Sequence, residues 1–191
     1  MSAGSPAPPP APTPGAPGQV GPADYARSCV EAFVDGLPAP PAPADSLYDG
    51  VAACFCSIKK HGELRGCIGT LTPASSCLGD EIARNAYAAA FSDPRFPPIG
   101  AGELAALSYS VDVLSACEPC DHDALDPRRY GVIVSAGGRR GVLLPDLAGV
   151  ETVERQLAIA LQKAGIAAGT DYAIERFTVT RFGEGCDVAC G

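Results

Sequence analysis

Apolar positions repeat with a helical period in three segments of the chain, which predicts three helices. The first is DYARSCVEAFVDGL, in which Asp24 is the expected cap and Gly36 the expected stop. The second is SSCLGDEIARNAYAAAF, which should end at Ser92-Asp93-Pro94, and the third is ETVERQLAIALQKAG. The expected inward-facing positions of the first and third helices are Tyr25, Cys29, Ala32, Phe33, Val153, Leu157, Ala160, Leu161 and Ala164.

Short apolar or alternating runs predict the strands between these helices. They are VAACFCSIKK, ELRGCIGTL, LSYSVDVLSA, YGVIVSA, RRGVLLP and RFTVTRF. His61-Gly62 and Gly137-Gly138 are two-residue hairpin signals. The order αββαβββαβ indicates an α+β fold, with helices packed on an antiparallel or mixed sheet.

Composition divides the chain into three parts. Residues 1–22 are rich in Pro, Ala and Gly, which predicts a disordered tail. Residues 23–184 are predicted to form a folded domain, and residues 185–191 a cysteine-containing C-terminal tail. There is no signal-peptide pattern and no apolar run of about 18 residues, so we expect a cytoplasmic protein that does not enter a membrane.

Charge and cysteine content narrow the classes of partner. The net charge is −8, which makes nucleic acid an unsuitable partner because its phosphates attract basic proteins. The nine cysteines are an odd number and cannot all pair within the chain, so we expect reduced thiols, metal ligands or redox groups instead of a disulfide framework. Cys117, Cys120, Cys186 and Cys190 could together hold a zinc ion, but a second CxxC is missing, so no cofactor is predicted.

The stretch HGELRGCIGTL holds the main candidate site. A two-residue loop at His61-Gly62 places Lys60 opposite Glu63 and Cys56 opposite Cys67. Alternation then predicts a core face that consists of Phe55, Leu64 and Ile68. The opposite face is predicted to carry Glu63, Arg65, Cys67, Ile58 and Cys56.

Cys67 has two interpretations at this point. A guanidinium such as that of Arg65 favours the nucleophilic thiolate, and Gly66 and Gly69 would leave open backbone for a ligand. Alternatively, another element covers this face and Cys67 is a small buried residue. Cys56 is either its redox partner or a small apolar neighbour.

Two carboxylates are candidates for acid–base chemistry. Asp93, in Asp93-Pro94-Arg95, follows the second helix, and Glu103 lies a few residues later. The alternative for Asp93 and Arg95 is a salt bridge that ends the helix.

Several motifs resemble the AMMECR domain family, whose microbial members are component A of the AmmeMemoRadiSam system. They are LRGCIGTL, AAAFSDPRFPPI, ELAALSYSVDVLS, GVLLPDLA and QKAGI, and the likeness runs from about Asp24 to Glu184. It implies a larger and a smaller lobe, a cleft near LRGCIGT, and a Memo-like protein and a radical S-adenosylmethionine enzyme as partners. The matching positions are Leu64 to Gly69, Asp93 to Phe96, Glu103 and Leu143 to Pro145, with Asp112 and Asp146 departing from the usual residues.

The family resemblance implies no settled reaction, so two hypotheses stay open. One is a thiol-dependent enzyme acting on a small molecule, with Cys67, Arg65, Asp93 and Glu103 as its catalytic residues. In that hypothesis Gly66, Gly69 and Arg95 bind the ligand. The other is a non-catalytic adaptor that binds the Memo-like or radical S-adenosylmethionine partner through the same surface.

Overall fold

The structure is a computed structural model that describes residues 20–167 and 169–184. These residues form two compact units, a larger one from 20–114 and 180–184 and a smaller one from 115–167 and 169–179. Each unit has its own four-stranded sheet, and the paired strands are antiparallel. The predicted α+β class with a larger and a smaller lobe is therefore confirmed.

Four helices and eight strands are present in the described residues. The helices are α1 (Pro22–Val34), α2 (Ser46–Asp49), α3 (Leu78–Phe91) and α4 (Val153–Ala164). The strands are β1 (Cys54–Lys60), β2 (Glu63–Gly69), β3 (Leu107–Leu114), β4 (Glu118–Pro119), β5 (Gly131–Ala136), β6 (Arg139–Leu143), β7 (Ala173–Phe177) and β8 (Val179–Gly183). Short 3₁₀ helices span Ala101–Ala106 and His122–Ala124.

In the larger unit the strand order is β2-β1-β3-β8, and α1 and α3 pack together on one face of this sheet. Side chains alternate along a strand, so every second residue of β1 and β3 enters the core between sheet and helices. The buried residues that β1 and β3 contribute to this core are Cys54, Cys56, Ile58, Leu107, Tyr109, Val111 and Val113, and β8 adds Phe182. We call the side of the sheet away from α1 and α3 the second face; it carries Phe55, Ser57, Cys67, Ser110 and Asp112.

In the smaller unit the strand order is β4-β7-β5-β6, and α4 packs on β5 and β6. The Thr152 hydroxyl accepts a hydrogen bond from the Arg155 N–H (3.2 Å) and so starts α4, while Gly165 ends it in the left-handed conformation. Val132, Val134, Leu143 and Leu157 are buried at the centre of this second core.

Helix α2 and strand β4 were not predicted from the sequence, and three further details differ from the sequence-based expectation. The helices cover two sheets instead of one, and the predicted strand RFTVTRF divides at Thr178 into β7 and β8, which belong to different sheets. Helix α1 begins at Pro22, one residue before the predicted domain boundary, with Gly21 at the cap position and Asp24 in the first turn. Proline is favoured there because the first helical residues need no N–H partner.

Among residues 20–167 and 169–184, no helix is both long and apolar enough to cross a bilayer. The greater part of the predicted N-terminal tail and all of residues 185–191, including Cys186 and Cys190, fall outside the described residues.

Candidate functional site: Cys67 at the edge of the larger sheet

The β1–β2 hairpin contains a bulge that changes its register. The pairs nearest the turn are the predicted ones, with Lys60 opposite Glu63 and Lys59 opposite Leu64. Ile58 then lies opposite Gly66, so Arg65 is an extra residue in β2 without a counterpart in β1. A bulge of this kind bends the strand and redirects the side chain of the inserted residue.

The shifted register places Cys67 opposite Ser57 and not opposite Cys56. The Ser57 hydroxyl donates a hydrogen bond to the Cys67 sulfur at 3.2 Å. Cys67 is half-buried on the second face, while Cys56 is buried in the core, where its thiol donates to the carbonyl of Ile82 (3.6 Å). Because the two cysteines lie on opposite faces of the sheet, the register offers no support for a redox pair.

The predicted faces of the hairpin are therefore partly wrong. Ile58 and Cys56 were expected on the face of Cys67 but belong to the core. Leu64 and Phe55 were expected in the core, yet Leu64 is 42% exposed and Phe55 lies on the second face. Only Ile68 of that predicted set packs against the core.

Gly66 and Gly69 were predicted to leave open backbone. They do not, because other parts of the protein already fill the space beside them. A Cβ atom on Gly66 would lie 2.2 Å from the carbonyl oxygen of Ala89 in α3. A Cβ atom on Gly69 would lie 2.3 Å from the ring of Phe55. Both glycines thus allow close packing within the larger unit.

Arg65 is bound to Glu103 instead of to Cys67. Its Nε and Nη2 donate to the two carboxylate oxygens at 3.1 and 2.9 Å, and Lys60 Nζ donates to the same carboxylate at 2.9 Å. The two cations lower the pKa of Glu103 to about 2, the Arg65 hydrogen bonds contributing most. Arg65 is only 9% exposed, so this bidentate pair anchors the bulge to the 3₁₀ helix that contains Glu103.

Arg95 is the arginine that reaches Cys67. In the sheet, β2 is an edge strand, and both backbone polar groups of Cys67 are bound by side chains from the loop after α3. The Cys67 N–H donates to Asp93 Oδ2 (2.9 Å), and Arg95 Nη2 donates to the Cys67 carbonyl (3.1 Å). Asp93 and Arg95 thereby replace a neighbouring strand at this one position of the edge.

Asp93 and Arg95 are also paired with each other. Arg95 Nε and Nη2 donate to the two Asp93 oxygens at 2.9 and 2.7 Å. These bonds, and the N–H groups of Cys67 and Arg95, hold the pKa of the buried Asp93 carboxyl far below its usual range. The same bonds raise the pKa of Arg95, and the charges of Asp93 and Cys67 add to that rise.

These two carboxylates are poorly suited to the predicted acid–base role. A group that exchanges protons near neutrality needs a pKa near the operating pH, whereas Asp93 and Glu103 both remain ionised. Their geometry instead fixes Arg95 and Arg65, which lie over the ring of Phe96 at 5.5 and 6.0 Å.

The described cysteines do not support the zinc site considered for Cys117, Cys120, Cys186 and Cys190. The residues between Cys117 and Cys120 form strand β4, which holds the two thiols apart, and the Cys120 N–H continues the ladder to Ile174 (3.1 Å). In residues 20–167 and 169–184, no three His, Cys, Asp or Glu side chains are grouped so that they could hold a metal ion.

The sequence interpretation missed two participants, Ser57 and the second role of Lys60. Ser57 would have faced Cys67 only in a register that contains the bulge, and the charge pair of Lys60 with Glu63 concealed its contact with Glu103. The pattern of side chains could have indicated the bulge. Cys56 and Ile68 both lie on the core face, with Ser57 and Cys67 both on the other, only if β2 contains one inserted residue.

Comparison with known proteins identifies the family. The AMMECR1 family model matches residues 23–184, so the chain belongs to the AMMECR1 family. A Thermotoga maritima protein is 51% identical over 141 residues, which cover 72% of this chain and 81% of that protein. Protein CA_C1420 of Clostridium acetobutylicum is 49% identical over 140 residues, which cover 73% of this chain but only 30% of its own length.

A solved structure shows the same fold. The crystal structure of the uncharacterized protein PH0010 from Pyrococcus horikoshii superposes with a TM-score of 0.75 at 26% sequence identity. The superposition covers 86% of this chain and 90% of PH0010.

Proposed function

We propose that this AMMECR1-family protein acts through the thiol of Cys67, as a thiol-dependent enzyme on a small molecule. The placement of Cys67 carries the proposal: its side chain lies outside the core, and its sulfur accepts a hydrogen bond from Ser57. Asp93 and Arg95 fix its backbone at both the N–H and the C=O. A nucleophile held in this way loses little freedom when it reacts.

In this proposal the residues of the site have different roles. Cys67 is the nucleophile, and Ser57 donates a hydrogen bond to its sulfur. Arg95 and Asp93 position the strand and present a guanidinium beside it. Arg65 and Glu103, predicted as catalytic, serve to hold the bulge in place. The cleft implied by the resemblance and the cytoplasmic location remain predictions.

The test is the rate at which iodoacetamide alkylates each cysteine, followed by mass spectrometry across a pH series. Cys67 should react faster near neutral pH in the native protein than in urea, while the core residues Cys54 and Cys56 are protected. Ser57→Ala should slow the reaction at Cys67. Ser110→Ala is the matched control, because Ser110 lies opposite Ser57 on its other side, in β3.

Stability separates this role from a structural one. Cys67→Ser removes the nucleophile but keeps nearly the same volume, so the free energy of unfolding should change by less than about 0.5 kcal/mol. A native Cys67 that reacts no faster than the same residue in urea would remove the basis of the thiol proposal. A loss of about 1–3 kcal/mol in Cys67→Ser would point to a buried structural residue.

A second candidate function is that of a non-catalytic adaptor for a Memo-like protein or a radical S-adenosylmethionine enzyme. One observation favours it: the matched segment is only 30% of CA_C1420, so in that protein the domain is part of a much longer chain. Mixing the purified protein with each candidate partner should give a complex on size-exclusion chromatography. A complex that forms equally well with Cys67→Ser would support the adaptor, and none at micromolar concentration would count against it.

A further inference from the structure

We infer that the Cys67 site takes an anionic ligand, a small molecule with a carboxylate or phosphate group that Arg95 binds beside the thiol. This inference rests on the proposed function, because it gives the chemical class of the molecule that reaches Cys67. It is carried by the geometry of one guanidinium and by the charge balance around it.

The Arg95 guanidinium is fixed but not fully used. Its Nε and Nη2 are bound to Asp93 and to the Cys67 carbonyl, while Nη1 makes no hydrogen bond to any described residue. The side chain is 53% exposed, so Nη1 can donate to a ligand without breaking existing bonds. An arginine already held in one orientation loses little freedom when it binds a carboxylate or phosphate.

The charges that surround this guanidinium leave a cationic excess. Lys60, Arg65 and Arg95 carry three positive charges, and their partners Glu103 and Asp93 carry two negative ones. The Nη1 atom of Arg65 also has no hydrogen-bond partner in the described residues, but it is buried, so the accessible donor of this cluster is Nη1 of Arg95.

The remaining charges on the same strands do not reverse this balance. The neighbouring residues Lys59 and Glu63 carry opposite charges, and Asp112 is paired with Arg181 at 2.6 Å. The protein as a whole carries −8, but at physiological ionic strength charges beyond about 8 Å are largely screened. The cationic excess therefore favours an anionic over a neutral ligand beside Arg95.

Two alkylating reagents that differ in charge test the inference. Iodoacetate is an anion and iodoacetamide is neutral; with each, the Cys67 sulfur forms a bond to carbon while the carbon–iodine bond breaks and iodide leaves with the electron pair. We expect the rate with iodoacetate divided by the rate with iodoacetamide at Cys67 to be about three-fold higher in the native protein than in urea. Arg95→Gln should return the ratio to its value in urea, and Arg95→Lys should retain part of the preference.

Arg84→Gln is the matched control. Arg84 lies exposed on α3 of the same unit, so its replacement removes the same net charge without touching the site and should leave the ratio unchanged. If Arg95→Gln fails to fold, which exposure of Cys54 and Cys56 to alkylation would reveal, Lys60→Gln takes its place and should lower the ratio. To distinguish the two ligand groups, inorganic phosphate and acetate are compared at equal ionic strength. The anion that slows the alkylation of Cys67 by iodoacetamide more strongly indicates the preferred group.

The outcomes separate the inference from the proposed function. If Cys67 is reactive but shows the same rate ratio in the native and unfolded states, the anionic ligand is wrong and the thiol function stands. If native Cys67 reacts with neither reagent faster than in urea, the proposed function fails and the inference fails with it.

Discussion

The β1–β2 and β5–β6 hairpins are built in the same way, except that β1–β2 contains one inserted residue. Each turns through two residues with positive φ, His61 and Gly62 in one and Gly137 and Gly138 in the other. Each also has a glycine in its second strand against the backbone of the following helix. A Cβ atom would lie 2.2 Å from Ala89 O at Gly66 and 2.1 Å from Ala160 O at Gly141.

The difference is the register. In β5–β6 every pair follows from the turn, from Ala136 opposite Arg139 to Val132 opposite Leu143. In β1–β2 the inserted Arg65 interrupts the pairing, and the candidate site surrounds that interruption. The glycine contact is thus a shared packing device, whereas the bulge is particular to the hairpin that carries Cys67.

The largest effect should come from a residue whose face the bulge determines. Ile58 is fully buried, so Ile58→Ala should lower the free energy of unfolding by about 4 kcal/mol, as for other large-to-small core changes. Leu64→Ala, at a position 42% exposed, should cost less than about 1 kcal/mol. Urea denaturation measures both losses. A larger loss for Leu64→Ala than for Ile58→Ala would support the register without the bulge.

The shared glycine contact predicts similar losses in both hairpins. Gly66→Ala and Gly141→Ala should each cost about 3 kcal/mol, because helix backbone occupies the space of the new methyl group. Gly102→Ala is the control, since no atom lies within 4 Å of a Cβ there. A tolerated alanine at Gly66 would mean that α3 does not contact β2 at that point.

A smaller loss is expected from the ion pair that anchors the bulge. Glu103→Gln leaves Arg65 and Lys60 without their counter-charge and should cost about 2 kcal/mol, less than a fully buried pair because Glu103 is partly exposed.

The pH dependence of unfolding provides a separate measurement of the same pair. The folded-state pKa of Glu103, about 2, lies below its ordinary 4.5, so its contribution is complete above about pH 4.5 and is lost as the pH falls towards 2. Glu103→Gln should flatten stability in that range. An unchanged acid limb would contradict the pairing. The β5–β6 hairpin offers the comparison. Arg140 in β6 pairs with Glu175 at 3.2 Å, and both side chains are partly exposed, so Glu175→Gln should change the stability at acid pH little, because exposed ion pairs contribute little.

The regular parts of the fold follow from the sequence because local signals agree there. The core face of α4 and both two-residue turns were predicted from period and turn residues alone. The bulge was missed because the turn residues fix the register only next to the turn. The inserted Arg65 then shifts the pairing, so that Cys67 lies opposite Ser57 and not opposite Cys56.

The pairing of the charged residues around Cys67 could not be read from the sequence. The sequence offers two arginines and two carboxylates without showing which binds which, since residues far apart in the chain meet only in three dimensions. Arg65 looked close to Cys67 because it is two residues away, yet Arg95 is the one that contacts it. The division of RFTVTRF was likewise invisible, because the two sheets that share this segment are set by distant strands.

That division has a consequence for the newly made chain on the ribosome. The smaller unit is continuous, so it can fold as soon as residues 115–179 have emerged. The larger sheet must wait for β8, which is synthesised only after the whole smaller unit. Until then β3 is an open edge, and the buried carboxylate of Asp112 has not yet met Arg181. The unit that begins first during translation is therefore the one that is completed last.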